Sequence, residues 1–266
     1  MLMQPFVVAR KELVDHARDV RSVALSALYA LMGPAMMLLA FFQRGPVDAS
    51  SPLTKVLPIM AAVFALMAAF TGSMAAAMDT VAGERERRSL VPLLVTACYR
   101  LHVIIGKWIA LTALSTGSLV LSVLGFALVF GPPATPRAWL SWFLAAPALL
   151  SLGMVAAALE ILISTLCRSM KEANTYVSIL VFGIAGVAMW MAFTPQTSLG
   201  WFSVVPMLGQ QRLLASGFAG GADSLIQAGI LGVQSSLLAG ATALAAAVAL
   251  AATVKLFERD EAVYGG

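Results

Sequence analysis

The chain alternates long apolar runs with short polar breaks, and six of those runs are long enough to cross a hydrocarbon core, which takes about 20 helical residues. They cover Val23–Phe42, Leu57–Met78, Trp108–Phe130, Ala138–Leu166, Tyr176–Phe193 and Ile226–Phe257. Pro34 and Pro147 fall inside the first and fourth, where each removes an amide donor and marks a candidate kink. Ahead of the first run, residues 4–21 repeat Phe6, Ala9, Leu13, Ala17 and Val20 at steps of three and four. Lys11, Glu12, Asp15, Arg18 and Asp19 fall opposite, the pattern of an amphipathic helix lying along a membrane surface. The fold class is therefore an all-α membrane protein, one transmembrane domain over residues 1–266, with six spans after an interfacial helix.

Between the fifth and sixth runs, glycines, prolines and aromatics surround a short helix-like piece, Pro206–Ser216. It reads as an extracytoplasmic cap resting at the interface. The N-terminal segment mixes acidic and basic residues, unlike the basic-then-apolar order of a cleavable signal peptide.

Composition supports the membrane reading: 60% of the 266 residues are hydrophobic and only 11% are charged, against roughly 25% charged in soluble domains. The net charge of +4 does not indicate nucleic acid, because the cations sit in short clusters beside apolar runs. With the N-terminus inside, only Arg44, Lys55, Arg137 and Arg212 of the 17 basic residues fall outside, as the positive-inside rule requires. Both termini are then cytoplasmic. Cys98 and Cys167 lie far apart and support neither a disulfide framework nor a zinc spacing.

One polar break is unlike the others. Asp79–Lys107 is a long loop between the second and third spans in which Glu84, Arg85, Glu86, Arg87 and Arg88 are consecutive. A helix beginning near Gly83 would present Glu84 and Arg88 on one charged face, with Leu90, Leu93 and Leu94 available to anchor the other.

Inside the spans, Ala61, Ala65, Ala68, Gly72 and Ala75 form a small-residue face suited to close backbone approach. Met67, Thr71 and Met74 lie beside it in a methionine-rich stripe that reads as core packing, with cargo lining or Cu(I) ligation as the functional alternatives. Gln234 is a further polar candidate for a substrate path. Glu160, 22 residues along its run from Ala138, is placed in the inner headgroup zone and expected to pair with a cation there.

The chain lacks a phosphate loop, since Gly106 and Lys107 are followed by Trp108, and it has no HExxH pair. No ATPase site, metal site or bound cofactor is expected of it.

The residues Asp79, Ala82, Gly83, Glu84, Glu86, Arg87, Leu90, Leu93, Leu94, Gly106 and Lys107 resemble the D-x-x-A-G-E-x-E-R…G-K signature of permease subunits in type-2 ATP-binding-cassette exporters. Within that family the sodium-extrusion permeases are most similar, and ARKEL at Ala9–Leu13, CRSMKEANTY at Cys167–Tyr176 and VKLFERDEAVYG near the end agree. The resemblance implies a cytosolic coupling helix between spans two and three, contacting a separate ATPase subunit that carries ATP and Mg. Gly83, Glu84, Arg85, Glu86, Arg87, Arg88 and Leu90 would make that contact, with Arg10, Lys11 and Glu12 of the interfacial helix beside them. The implied partners are two ATPase subunits, a second copy of this chain or a related permease, and the lipid bilayer, with no nucleic acid. The alternatives are a mechanical or scaffolding membrane module that moves no cargo, and an intramembrane hydrolase using Ser73.

Overall fold

The computed structural model describes residues 4–44, 53–87, 100–133, 135–193, 203–220 and 225–257. Among these the chain is helical apart from short turns, and six helices are long and apolar enough to span a membrane. In order they are α1 (Gln4–Arg18), α2 (Val20–Arg44), α3 (Leu53–Met78), a wide turn Asp79–Gly83, α4 (Glu84–Glu86), α5 (Arg100–Phe130), α6 (Pro136–Leu166), α7 (Met170–Phe193), α8 (Leu208–Phe218) and α9 (Leu225–Phe257). Every expected span is present. Several helices start earlier than the apolar runs, because a helix continues past the oily stretch while its polar ends can still find partners.

Asp19 separates α1 from α2. Its carboxylate accepts the Arg21 amide and its carbonyl accepts the Val23 amide, so it caps α2 instead of belonging to the polar face of a helix running to residue 21. The expected apolar arc of α1 is divided in consequence. Ala9 is buried against the bundle, whereas Phe6 and Val20 remain 65% and 75% exposed, free to enter a bilayer.

The centre of the bundle is the pair α3 and α6, whose apolar windows are 61% buried, against 22–28% in the other four spans. α3 packs against α2, α5, α6, α7 and α8, and α6 packs most extensively along α9. The small face of α3 explains its central place: Ala61, Ala65 and Ala68 are buried, and at Gly72 an added Cβ would overlap Ser118 of α5. Ser115 of α5 donates to the Ala69 carbonyl at 2.6 Å and Ser26 of α2 to the Gly72 carbonyl at 3.0 Å, tying three helices at one level.

α8 corrects the expected surface cap. Gln210 and Leu214 are fully buried, and Gln210 Nε2 donates to Thr242 Oγ1 of α9 at 2.8 Å and to Ser151 Oγ of α6 at 3.4 Å. A glutamine at such depth needs partners for both ends of its amide, and Oε1 receives the Met207 amide. At the same end of the bundle, Phe218 of α8 packs on Phe126 and Phe130 of α5 and Trp142 of α6, with ring centroids 5.3–5.8 Å apart. This aromatic end lies opposite a charged one, built from α1, the wide turn and α4.

Candidate functional site

The second span does not stop at the polar break. Its helix continues through Asp79–Gly83 to Glu86, but the turn widens: the Glu84 amide bonds to the carbonyls of Asp79 and Val81 and skips that of Thr80. The freed Thr80 carbonyl accepts from Lys107 Nζ of α5 at 2.9 Å. Lys107 also reaches Glu84 at 2.8 Å and Glu12 of α1 at 3.1 Å.

Three acceptors thus meet the three ammonium protons of a side chain only 1% exposed. A lysine buried in this way requires both carboxylates. The same cluster acts outward on Lys11: partial burial lowers its proton affinity, but Glu12, Glu84 and Asp15 outweigh that and hold its pKa above the usual lysine value.

Gly106, next to Lys107, serves the same junction. A Cβ there would lie 2.6 Å from Val8 Cβ and 2.7 Å from the Pro5 carbonyl, so α1 approaches α5 this closely only because the side chain is absent. The Gly106–Lys107 pair therefore does two things: the glycine seats α1, and the lysine bonds it to the wide turn.

The two residues after Glu84 grip two further spans. Arg85 donates to the carbonyls of Cys167 at 2.6 Å and Thr165 at 3.1 Å, closing the C-terminus of α6 where helix carbonyls lack internal donors. Glu86 Oε1 accepts the Met170 amide at 3.1 Å at the N-terminus of α7. One turn earlier the Ala82 amide donates to Ser164 of α6 at 3.1 Å. Three consecutive charged residues are thus each committed to a different helix, α5, α6 and α7.

Gly83 makes room for this arrangement. A Cβ there would meet Asp79 Oδ1 at 2.5 Å, and that oxygen pairs with Arg87 at 2.7 Å.

The charged face expected to point away from the bundle is accordingly turned into it at Glu84 and Arg85, while Glu86 stays exposed and bonds at the surface to the start of α7. A charge at the end of an apolar helix is stabilised by a fixed opposite partner, and the adjoining helix ends supply one for each. Arg87, 65% exposed along its side chain, points outward. Arg88, Leu90, Leu93, Leu94 and Cys98 lie outside the described residues. In α1, Arg10 and Lys11 are exposed while Glu12 faces the bundle.

Sequence reasoning treated Lys107 as one more inner-surface cation. A signal was available, since it lies seven residues into a helix and is followed by the apolar turn Trp108–Leu111 with no further charge to Phe130.

The weaker candidates stay apart from this site. Thr71 donates to its own helix at the Met67 carbonyl, 3.0 Å away, and Met67 and Met74 pack against the core. Gln234 is half-buried on α9. None of the four lines any of the three clefts described in this structure.

Glu160 differs from expectation. It is fully buried, its Oε2 accepts from Ser73 of α3 at 2.8 Å, and its Oε1 has no partner among the described residues. Among the described residues no cation pairs with it, and Arg85 on the continuation of the opposing helix is committed to the carbonyls of Thr165 and Cys167. Among the described residues no group of three or more His, Cys, Asp or Glu side chains is placed to hold a metal.

The charged junction can be compared with known proteins. The chain is 31% identical over 144 residues to the ABC transporter permease protein NatB of Bacillus subtilis (strain 168), a match covering 49% of this chain and 35% of that protein. The family model described as ABC-2 family transporter protein matches residues 6–262, from the first turn of α1 to beyond α9. Spans, interfacial helix and charged junction all fall within that match, and the chain belongs to the ABC-2 transporter family.

Proposed function

We propose that this chain is the membrane subunit of an ATP-driven exporter, paired with a separate ATP-binding-cassette ATPase that docks at the charged end. That end faces the cytoplasm in this reading, with both termini on the same side of a bacterial inner membrane. The observation that carries it is the three-way grip of Glu84, Arg85 and Glu86 on α5, α6 and α7. A push on exposed Arg87 reaches three spans at once, and through Lys107 it reaches α1 as well.

The docking surface is then Arg87, Arg88 and Leu90 together with Arg10 and Lys11, while Glu84, Arg85, Glu86 and Glu12 transmit. Such a division suits the energetics. Partly buried, hydrogen-bonded charges hold geometry firmly, whereas exposed ones exchange partners cheaply. ATP and Mg belong to the partner, and a second copy or related permease completes the membrane half. Transport further requires that cargo bind unequally to the two access states.

The test is site-specific photocrosslinking in the assembled complex. A photoreactive residue in place of Arg87 or Arg10 should capture the ATPase subunit, and one in place of Trp139 at the aromatic end should not. Absence of ATPase adducts from both Arg87 and Arg10 would refute the docking surface.

A further inference from the structure

Two clefts on one side of the charged end meet. The first, about 360 Å³, lies among α1, the start of α2, the end of α3 and α5, and its polar rim includes Asp15, His16, Asp19, Arg21 and Arg87. The second, about 220 Å³, runs between α2 and α5 along Val23, Ala113, Gly117 and Leu121. His16 and Leu114 line both, so the polar chamber and the apolar groove adjoin.

We propose that this joined cavity is a binding site for a phospholipid bearing a primary-amine headgroup, with the headgroup in the polar chamber and one acyl chain in the groove. The charges that remain after internal pairing select the headgroup. Glu12 and Glu84 share Lys107, with Lys11 also in contact with Glu12, and Asp79 pairs with Arg87. Burial keeps His16 below its ordinary pKa, so it is uncharged at neutral pH.

What is left at the rim is the Arg21 guanidinium, which makes no side-chain bond among the described residues, and the carboxylates of Asp15 and Asp19. Asp15 has only a long contact of 3.7 Å to exposed Lys11. One cation for a phosphate and two acceptors for an ammonium match a zwitterion with N–H donors. An anionic lipid such as phosphatidylglycerol would bring hydroxyl donors but no cation to the two carboxylates.

The groove carries an independent sign of a ligand. Ser118, 7% exposed and one turn beyond Leu114, lines it with a hydroxyl that has no partner among the described residues. Rotated toward the groove, that hydroxyl would donate to an acyl-ester carbonyl entering past Leu114. At Gly117 an added Cβ meets nothing within 4 Å, so the groove wall there stands open. The inference rests on the membrane-spanning architecture and is independent of the ATPase pairing.

The experiment is native mass spectrometry of the purified full chain, released from micelles containing dioleoyl phosphatidylethanolamine, phosphatidylcholine or phosphatidylglycerol at equal concentration. One phosphatidylethanolamine should be retained per chain in preference to both others. Gly117→Phe, whose Cβ enters open space, should cut that retention about fivefold or more with an unchanged circular dichroism spectrum. Arg21→Gln and Asp15→Asn should each lower it up to about fivefold, the worth of an exposed charge pair. Asp15→Asn should also narrow the preference over phosphatidylcholine, which has the same charge but no N–H donor. Equal retention of all three lipids, or retention unchanged by both Gly117→Phe and Arg21→Gln, would reduce the site to ordinary boundary lipid and overturn the proposal.

Discussion

Lys107→Met is the substitution on which the account of the charged junction depends most. Methionine keeps nearly the same length and volume, so packing beside Gly106 is preserved and the ammonium alone is removed. Its loss leaves Glu12 and Glu84, only 15% and 16% exposed, without their shared cation, and returns the Thr80 carbonyl to an orphan state. Breaking a buried pair by deleting one partner costs about 3–5 kcal/mol, most of it the penalty of the charge left behind.

The same reasoning fixes what should repair it. Glu84→Gln and Glu12→Gln, added to Lys107→Met, remove the stranded charges and should restore more than half of the lost stability, although the wide turn keeps one unsatisfied carbonyl. Stability is read as the midpoint of thermal unfolding in detergent by intrinsic tryptophan fluorescence, with aggregation followed in parallel. A Lys107→Met midpoint indistinguishable from the parent, or a triple variant no better than the single, would mean that Lys107 is not the tie between α1, the wide turn and α5.

Two further outcomes follow from the same geometry. Gly106→Leu should dislodge α1 from α5, because the added atoms collide with Val8 and the Pro5 carbonyl; limited proteolysis should then cut within residues 4–18 while the remaining spans stay protected, and an unchanged digestion pattern would contradict the close approach. Glu160→Leu combined with Ser73→Ala removes a buried carboxyl, one oxygen of which has no partner among the described residues, together with the donor to its other oxygen. It should leave the unfolding midpoint unchanged or raise it by the equivalent of about 1–3 kcal/mol; a clear loss of stability would show that the Ser73–Glu160 bond outweighs the cost of burying the carboxyl.

The apolar periodicity was enough to place every span, because a hydrocarbon layer demands continuous hydrophobic length and backbone bonds satisfied within each segment. It placed the short helix after the fifth span but not its depth. Pro206–Ser216 looks superficial by composition, and only the partners of Gln210 on α6 and α9 show that it is inserted. The end of α1 was misplaced for a related reason: Asp19 fits the polar side of a helical wheel equally well, and its capping bonds exist only where the chain actually breaks.

The charged run was recognisable from its consecutive acids and bases, and the nearby Gly–Lys pair stood out with it. What each charge does was not recognisable. Consecutive helical residues point about 100° apart, so Glu84, Arg85 and Glu86 necessarily diverge, but which helix end waits in each direction depends on how α5, α6 and α7 pack around α3. The same holds for Glu160, whose depth was estimated from residue count and whose partner turned out to be a hydroxyl from another helix. By itself the sequence determined that this is a bundle of six membrane helices carrying a charged element at one end, since both features are local and set by solvent. Tertiary structure alone decided that the charges are spent on binding the helices to one another, because an ion pair exists only where two distant segments bring opposite charges within reach.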